Sequence, residues 1–185
     1  MIFRQLFETL SSTYTYLLGC EATGQALLID PVVNSMDRDL AELQRLGLTL
    51  ACTLETHLPA DHITGALHLK QRTGCRIAAA AMDRLPCADL GVVEGVPLTV
   101  GSLALQPLHT PGHTPGQLAV HVPDEGVVFT GDTIFSGCQT WLMTSDVDGW
   151  LAALERIRTL DFERIVPGHG PVVPKSYLDV QRSHL

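Results

Sequence analysis

Four times along this 185-residue chain, an apolar run leads into a turn that holds Gly or Pro together with histidine or aspartate. The four turns are Thr56-His57-Leu58-Pro59-Ala60-Asp61-His62, Thr110-Pro111-Gly112-His113-Thr114-Pro115-Gly116, Thr130-Gly131-Asp132-Thr133 and Pro167-Gly168-His169-Gly170. Short apolar runs bounded by turn residues read as buried strands. Loops at strand ends let a rigid sheet aim several side chains at one point. The chain is therefore constrained to a strand-rich scaffold whose polar loops converge.

The rest of the pattern supplies that scaffold. Tyr14–Leu18 and Ala26–Ile29 read as strands separated by a turn at Gly24. Arg38–Leu46 reads as a helix, with Leu40, Leu43 and Leu46 three apart and Gly47 as its stop. Leu50–Leu54 is a short apolar strand, Thr64–Thr73 a helix closed by Gly74, and Arg76–Ala79 another strand. From Val92 to Val128 the spacing predicts short strands broken by Gly and Pro. Trp150–Leu160 is an amphipathic helix with Trp150, Leu151, Leu154, Ile157 and Leu160 inward. Ile165–Val166 is a short strand, and the tail from Ser176 forms a last helix. No repeat or linker interrupts the order, so residues 1–185 are expected to form a single α/β domain.

A 45% hydrophobic and 17% charged composition suits a globular core and argues against disorder. No apolar run reaches the roughly 18–20 residues of a membrane span, and the N-terminus carries no secretory pattern. The net charge of −8 argues against nucleic acid or an anionic membrane as partner. Five cysteines with no C-x-x-C pair argue against a disulfide framework and favour the reducing cytoplasm.

Imidazole and carboxylate together are the ligand set of zinc, iron or manganese. The turns supply His57, Asp61, His62, His113, Asp132 and His169. His68, His109, His121 and His184 stand apart from this pattern and read as ordinary surface or core residues.

The order H-x-x-x-D-H, TPGHTPG, GD and PGHG resembles the metallo-β-lactamase superfamily over essentially the whole chain. The stretches FRQLFETLSSTYTYLL, ALLIDPV, ETHLPADHITGA and HTPGHTPG resemble its persulfide dioxygenase and glyoxalase II branch. The resemblance implies an αββα sandwich of two mixed β-sheets flanked by helices. It implies a small thiol substrate, such as a glutathione derivative, and is compatible with a homodimer.

One departure discriminates between activities. The superfamily pattern is H-x-H-x-D-H, and Pro59 stands where its second histidine would be. Proline has no side-chain donor atom for a metal. Carried over by resemblance, a first metal set keeps His57, His113 and Asp132, while a second set, Asp61, His62 and His169 with the shared Asp132, is complete. Two histidines and one carboxylate is the arrangement of mononuclear non-haem Fe(II) oxygenases. The resemblance thus implies a persulfide dioxygenase holding Fe(II) on His57, His113 and Asp132. Asp61, His62 and His169 would then act catalytically by orienting the ligands. The alternative is a thioester hydrolase of the glyoxalase II kind, with zinc and the second set, Asp61, His62 and His169. A third reading, supported by Pro59, is a metal-binding relative without turnover. The run after Asp132, TIFSGCQTWLMTSD, lacks the arginine that persulfide dioxygenases carry there.

Overall fold

The computed structural model describes residues 1–58, 62–143 and 145–185, which divide into two compact units. Pro59, Ala60 and Asp61, and with them the expectations placed on Pro59 and Asp61, lie outside the described residues.

The first unit comprises Met1–Glu55, the described part of Pro59–Val92, and Thr99–Ala104. Its sheet holds β1 (Ile2–Glu8), β2 (Thr13–Gly19), β3 (Gln25–Ile29), β4 (Thr49–Leu54), β5 (Arg76–Ala80) and β6 (Leu90–Val92) in sequential order. The β1–β2 and β2–β3 pairs are antiparallel; β3–β4, β4–β5 and β5–β6 are parallel. Each early parallel crossover carries a helix, α1 (Met36–Arg45) and α2 (Ala66–Thr73). Leu43 and Leu69 are buried in one cluster with Leu17, Leu28 and Leu50, so the leucine spacing of α1 marks the face it lays on the sheet. Gly74 closes α2 in the left-handed conformation at φ +74°, which glycine enters without a Cβ penalty.

The second unit comprises Thr56–Leu58, Val93–Leu98 and Leu105–Leu185. The second sheet runs in the order β12 (Val173–Pro174), β11 (Arg164–His169), β10 (Val127–Phe135), β9 (Leu118–Val122), β8 (Leu103–His109) and β7 (Leu98–Val100). Its β10–β11 pair is parallel, while β8–β9, β9–β10 and β11–β12 are antiparallel. Helices α3 (Val147–Arg158) and α4 (Tyr177–Ser183) pack on it. Trp150, Leu154 and Ile157 of α3 are fully buried with Leu178 of α4, Ile134, Phe135 and Ile165. The Asp146 side chain caps α3 by accepting the Gly149 N–H at 3.1 Å. Two mixed sheets with flanking helices is the expected fold class.

Helix ends shift by up to three residues, α3 beginning at Val147 and not at Trp150; two boundaries beside the candidate metal ligands differ in kind. Thr130-Gly131-Asp132-Thr133 is no turn: it lies inside the nine-residue β10, every residue of which is buried. The β10–β11 register shifts between Phe129 and Gly131 and again before Phe135, so the irregularity that glycine signalled occurs as breaks within a strand. Likewise β11 runs through to His169 instead of stopping at Val166. Among the described residues, no helix is long and apolar enough to cross a membrane.

Candidate metal centre

Within the second unit, His57, His113 and Asp132 come together although 75 residues of sequence separate the first from the last. Their ligand atoms all lie within 4.8 Å of one another, and among the described residues no other three His, Cys, Asp or Glu cluster in this way.

Each arrives on a different element. His57 follows Thr56, whose carbonyl accepts the Leu118 N–H at 2.7 Å and so ties the segment to β9. The Thr56 hydroxyl lies 3.0 Å from His57 Nδ1. Donation from Nδ1–H to that hydroxyl selects the tautomer whose Nε2 keeps its lone pair for a cation. His113 sits in the β8–β9 loop, edge-on to His57, Phe135 and Trp150 at ring separations of 5.5, 5.9 and 5.6 Å. Gly112 has φ +148°, and a Cβ there would come within 2.6 Å of Trp150 Cα. Its carbonyl accepts the Asp146 N–H at 2.9 Å, so the start of α3 is fastened beside His113.

Asp132 is the shared partner. Its Oδ2 lies 3.7 Å from His57 Nε2, 3.4 Å from His113 Nε2 and 3.4 Å from His169 Nε2. Burial opposes ionisation of this carboxyl. The charges of His57, His169 and His113, with a hydrogen bond from His169, outweigh it and hold the group down at about 2. Close backbone approach makes this possible: Gly131 has φ +47°, with Gln117 Nε2 only 2.5 Å from where a Cβ would stand. A Cβ on Gly168 would collide with Asp132 Oδ1. His169 stacks on Phe135 at 5.1 Å with an interplanar angle of 6°.

The donor set fits a transition metal. His57 Nε2 is buried, has no hydrogen-bond partner and points at a carboxylate oxygen beyond hydrogen-bond range. A buried nitrogen in that state is costly unless a cation completes it.

Of the remaining sequence candidates, His169 joins the cluster through Asp132, and Asp61 lies outside the described residues. His62 belongs to the first unit, where it lines a cavity and its charge acts on the Glu55 carboxyl. Glu55 was not anticipated as part of any site. Burial, then the neighbouring Asp30 charge, pushes its carboxyl up to about 8, against a hydrogen bond from Thr64 Oγ1 at 2.5 Å and the opposing charge of His62. Its signal was a lone acidic residue ending an apolar strand. Trp150 and Phe135, which frame His113 and His169, carried no signal beyond being apolar. The other histidines have structural surroundings: His121 Nε2 lies 2.9 Å from the Asp161 carbonyl, and His109 Nε2 2.7 Å from that of Pro115. His68 and His184 are exposed. All five cysteines are free thiols.

The model of the family described as the Metallo-beta-lactamase superfamily matches residues 9–169. The mitochondrial persulfide dioxygenase ETHE1 of Mus musculus is 40% identical over 140 residues, covering 75% of this chain and 55% of that protein. A hydroxyacylglutathione hydrolase of Rhodospirillum rubrum is 38% identical over 160 residues, covering 85% of this chain and 61% of that protein. The chain thus spans little more than half the length of the curated relatives it matches. The crystal structure of ETHE1 from Myxococcus xanthus superposes with a TM-score of 0.89 at 37% identity, covering 98% of this chain and 83% of that one.

Proposed function

Because the chain belongs to the metallo-beta-lactamase superfamily, with persulfide dioxygenases and hydroxyacylglutathione hydrolases among its close homologues, we propose that it is a mononuclear iron persulfide dioxygenase. The observation that carries this reading is the His57, His113 and Asp132 triad, two imidazoles and one carboxylate within 4.8 Å. Its substrate is glutathione persulfide. With one O2 and one water, the outer sulfur is oxidised by four electrons to sulfite, the S–S bond breaks, and the thiol leaves with a proton on its sulfur.

Fe(II), when bound, supplies the redox capacity that no side chain has. The protein's share is positioning. Asp132 stays ionised at neutral pH and gives the site its negative charge. Thr56 fixes the His57 ring, and Trp150 and Phe135 wall His113 on its apolar sides. His169, held flat against Phe135, donates a hydrogen bond to Asp132 and sets the direction of its free lone pairs. By motif position, His62 and Asp61 serve the same catalytic purpose. The whole of 1–185 acts as one domain, and the five free thiols suit a reducing compartment such as the cytoplasm.

A second reading, a zinc-dependent hydroxyacylglutathione hydrolase, draws on the 3.4 Å approach of His169 to Asp132 and on the 38% identity to the Rhodospirillum rubrum protein. The two are separated by one pair of assays on protein whose metal content has been measured. Iron-loaded protein is expected to consume oxygen with glutathione persulfide, and His113→Ala to abolish it. Hydrolysis of S-lactoylglutathione with no oxygen uptake would replace the first reading with the second.

A further inference from the structure

Within the second unit, Asp132 lies inside β10 and His169 ends β11, so sheet pairing fixes their backbone. His113 instead sits midway along the loop of residues 110–116 between β8 and β9. That loop holds Gly112 and Gly116, and glycine gives a chain more conformations to lose. Its placement therefore depends on bonds made around and across it. At its feet the Thr110 N–H donates to the Gln117 carbonyl at 2.8 Å. The hydroxyl of Thr133, next to Asp132, donates to the Thr110 hydroxyl at 3.2 Å.

His109 adds a strut. It ends β8, and its ring reaches across six positions to place Nε2 2.7 Å from the Pro115 carbonyl. A carbonyl oxygen only accepts, so Nε2 carries the proton. His57 is the reverse case, with Nδ1–H donating and Nε2 left for a cation. His109 is itself anchored at both backbone groups. Its N–H donates to Glu94 Oε2 at 2.9 Å, and its carbonyl accepts from Arg156 Nη1 at 2.6 Å. Arg156 Nη2 completes the ring by pairing with Glu94 Oε1. An exposed ion pair of this kind stabilises little by itself, so its consequence is the fixed position of His109. Arg156 lies on α3, whose start is fastened to Gly112 and whose Trp150 packs against His113 at 5.6 Å. One helix thus holds the loop on both sides of His113, at Gly112 before it and, through His109, at Pro115 after it.

We propose that His109 is a positioning residue for the metal centre, holding the limb of the loop after His113 through its bond to the Pro115 carbonyl. This rests on the reading of His57, His113 and Asp132 as metal ligands. It deepens that reading by naming what sets the approach of His113 to the ion. A ligand held in this way arrives already oriented, so its ordering does not have to be supplied when the ion binds.

The test uses cobalt(II) as the probe, titrated into the whole 1–185 chain. His109→Phe keeps a ring and removes the donor, whereas His109→Gln keeps an N–H at similar reach. In chelator competition His109→Phe should bind cobalt roughly threefold to tenfold more weakly than the parent, the scale of one intramolecular hydrogen bond. Its visible cobalt absorption, which reports ligand geometry, should shift, and His109→Gln should recover most of both. Pro115 is exposed, so water replaces the lost donor and the melting temperature should fall by only about 2–4 °C. Parent affinity and spectrum in His109→Phe, or no recovery in His109→Gln, would overturn the strut and leave the ligand set standing. A parent that takes up no cobalt would instead remove the metal centre on which the strut rests. Should His109→Phe not fold, Arg156→Met releases the His109 carbonyl from α3; weaker cobalt binding there supports the strut, and unchanged binding overturns it.

Discussion

Replacing Trp150 with Phe tests whether the packing beneath His113 holds the metal centre in place. The indole is fully buried and its Nε1 donates to the Thr133 carbonyl at 2.8 Å. Phenylalanine offers no donor, so that carbonyl would lose its partner in a dry core, at a cost of about 1–3 kcal/mol. The smaller ring adds about 1 kcal/mol for the space left behind. A total near 3 kcal/mol corresponds to a fall in Tm of roughly 6–12 °C for a chain of this size. The indole also supports the His113 ring at 5.6 Å, so metal affinity should fall about tenfold, as for other groups that orient a ligand. Leu154→Ala is the matched control. It empties the same buried cluster at a cost of about 2–5 kcal/mol, and Leu154 belongs to the turn of α3 after Trp150. Calorimetry gives the stability change, and chelator competition gives the metal affinity. If both variants lose metal affinity equally, Trp150 acts only through global stability. A Trp150→Phe protein that melts within 2 °C of the parent would refute the hydrogen-bond argument itself.

Two further outcomes follow from particular residues. Pro59→His restores the imidazole of the superfamily pattern, so bound metal measured by elemental analysis should rise from one to two per chain; an unchanged count would mean that Pro59 is not what limits the second metal. Glu8 is held at about 2 by the Ser11 hydroxyl and by the Ser11 and Leu10 N–H groups, well below its ordinary 4.5. Its folded-state value is depressed, so the stability it contributes is present above about 4.5 and lost as the pH falls toward 2. Urea unfolding across that window should show a shallower pH dependence in Glu8→Gln than in the parent, and parallel curves would remove Glu8 as a source of acid sensitivity.

Much of the scaffold was legible because its signals are local. The α1 face was written in Leu40, Leu43 and Leu46, and the ends of α1 and α2 in Gly47 and Gly74, both with positive φ. Strand β1 was harder to read: Ile2–Glu8 is a half-exposed strand at one end of its sheet, where alternation is blurred by Arg4 and Gln5. Thr130–Thr133 reads as a turn from its glycine yet lies within β10, because glycine signals backbone irregularity without saying whether the chain reverses or only shifts register.

The metal-binding residue types, their order and the loss of the motif histidine at Pro59 belong to the sequence alone, because ligand chemistry is fixed by side-chain identity. Tertiary structure decided what no local pattern encodes. It set three imidazole nitrogens around one Asp132 oxygen, put Trp150 and Phe135 behind the rings, and separated His62 into a cavity with Glu8 and Asn34. Those relations depend on strand register and on backbone approach at Gly131 and Gly168, which are set by long-range pairing.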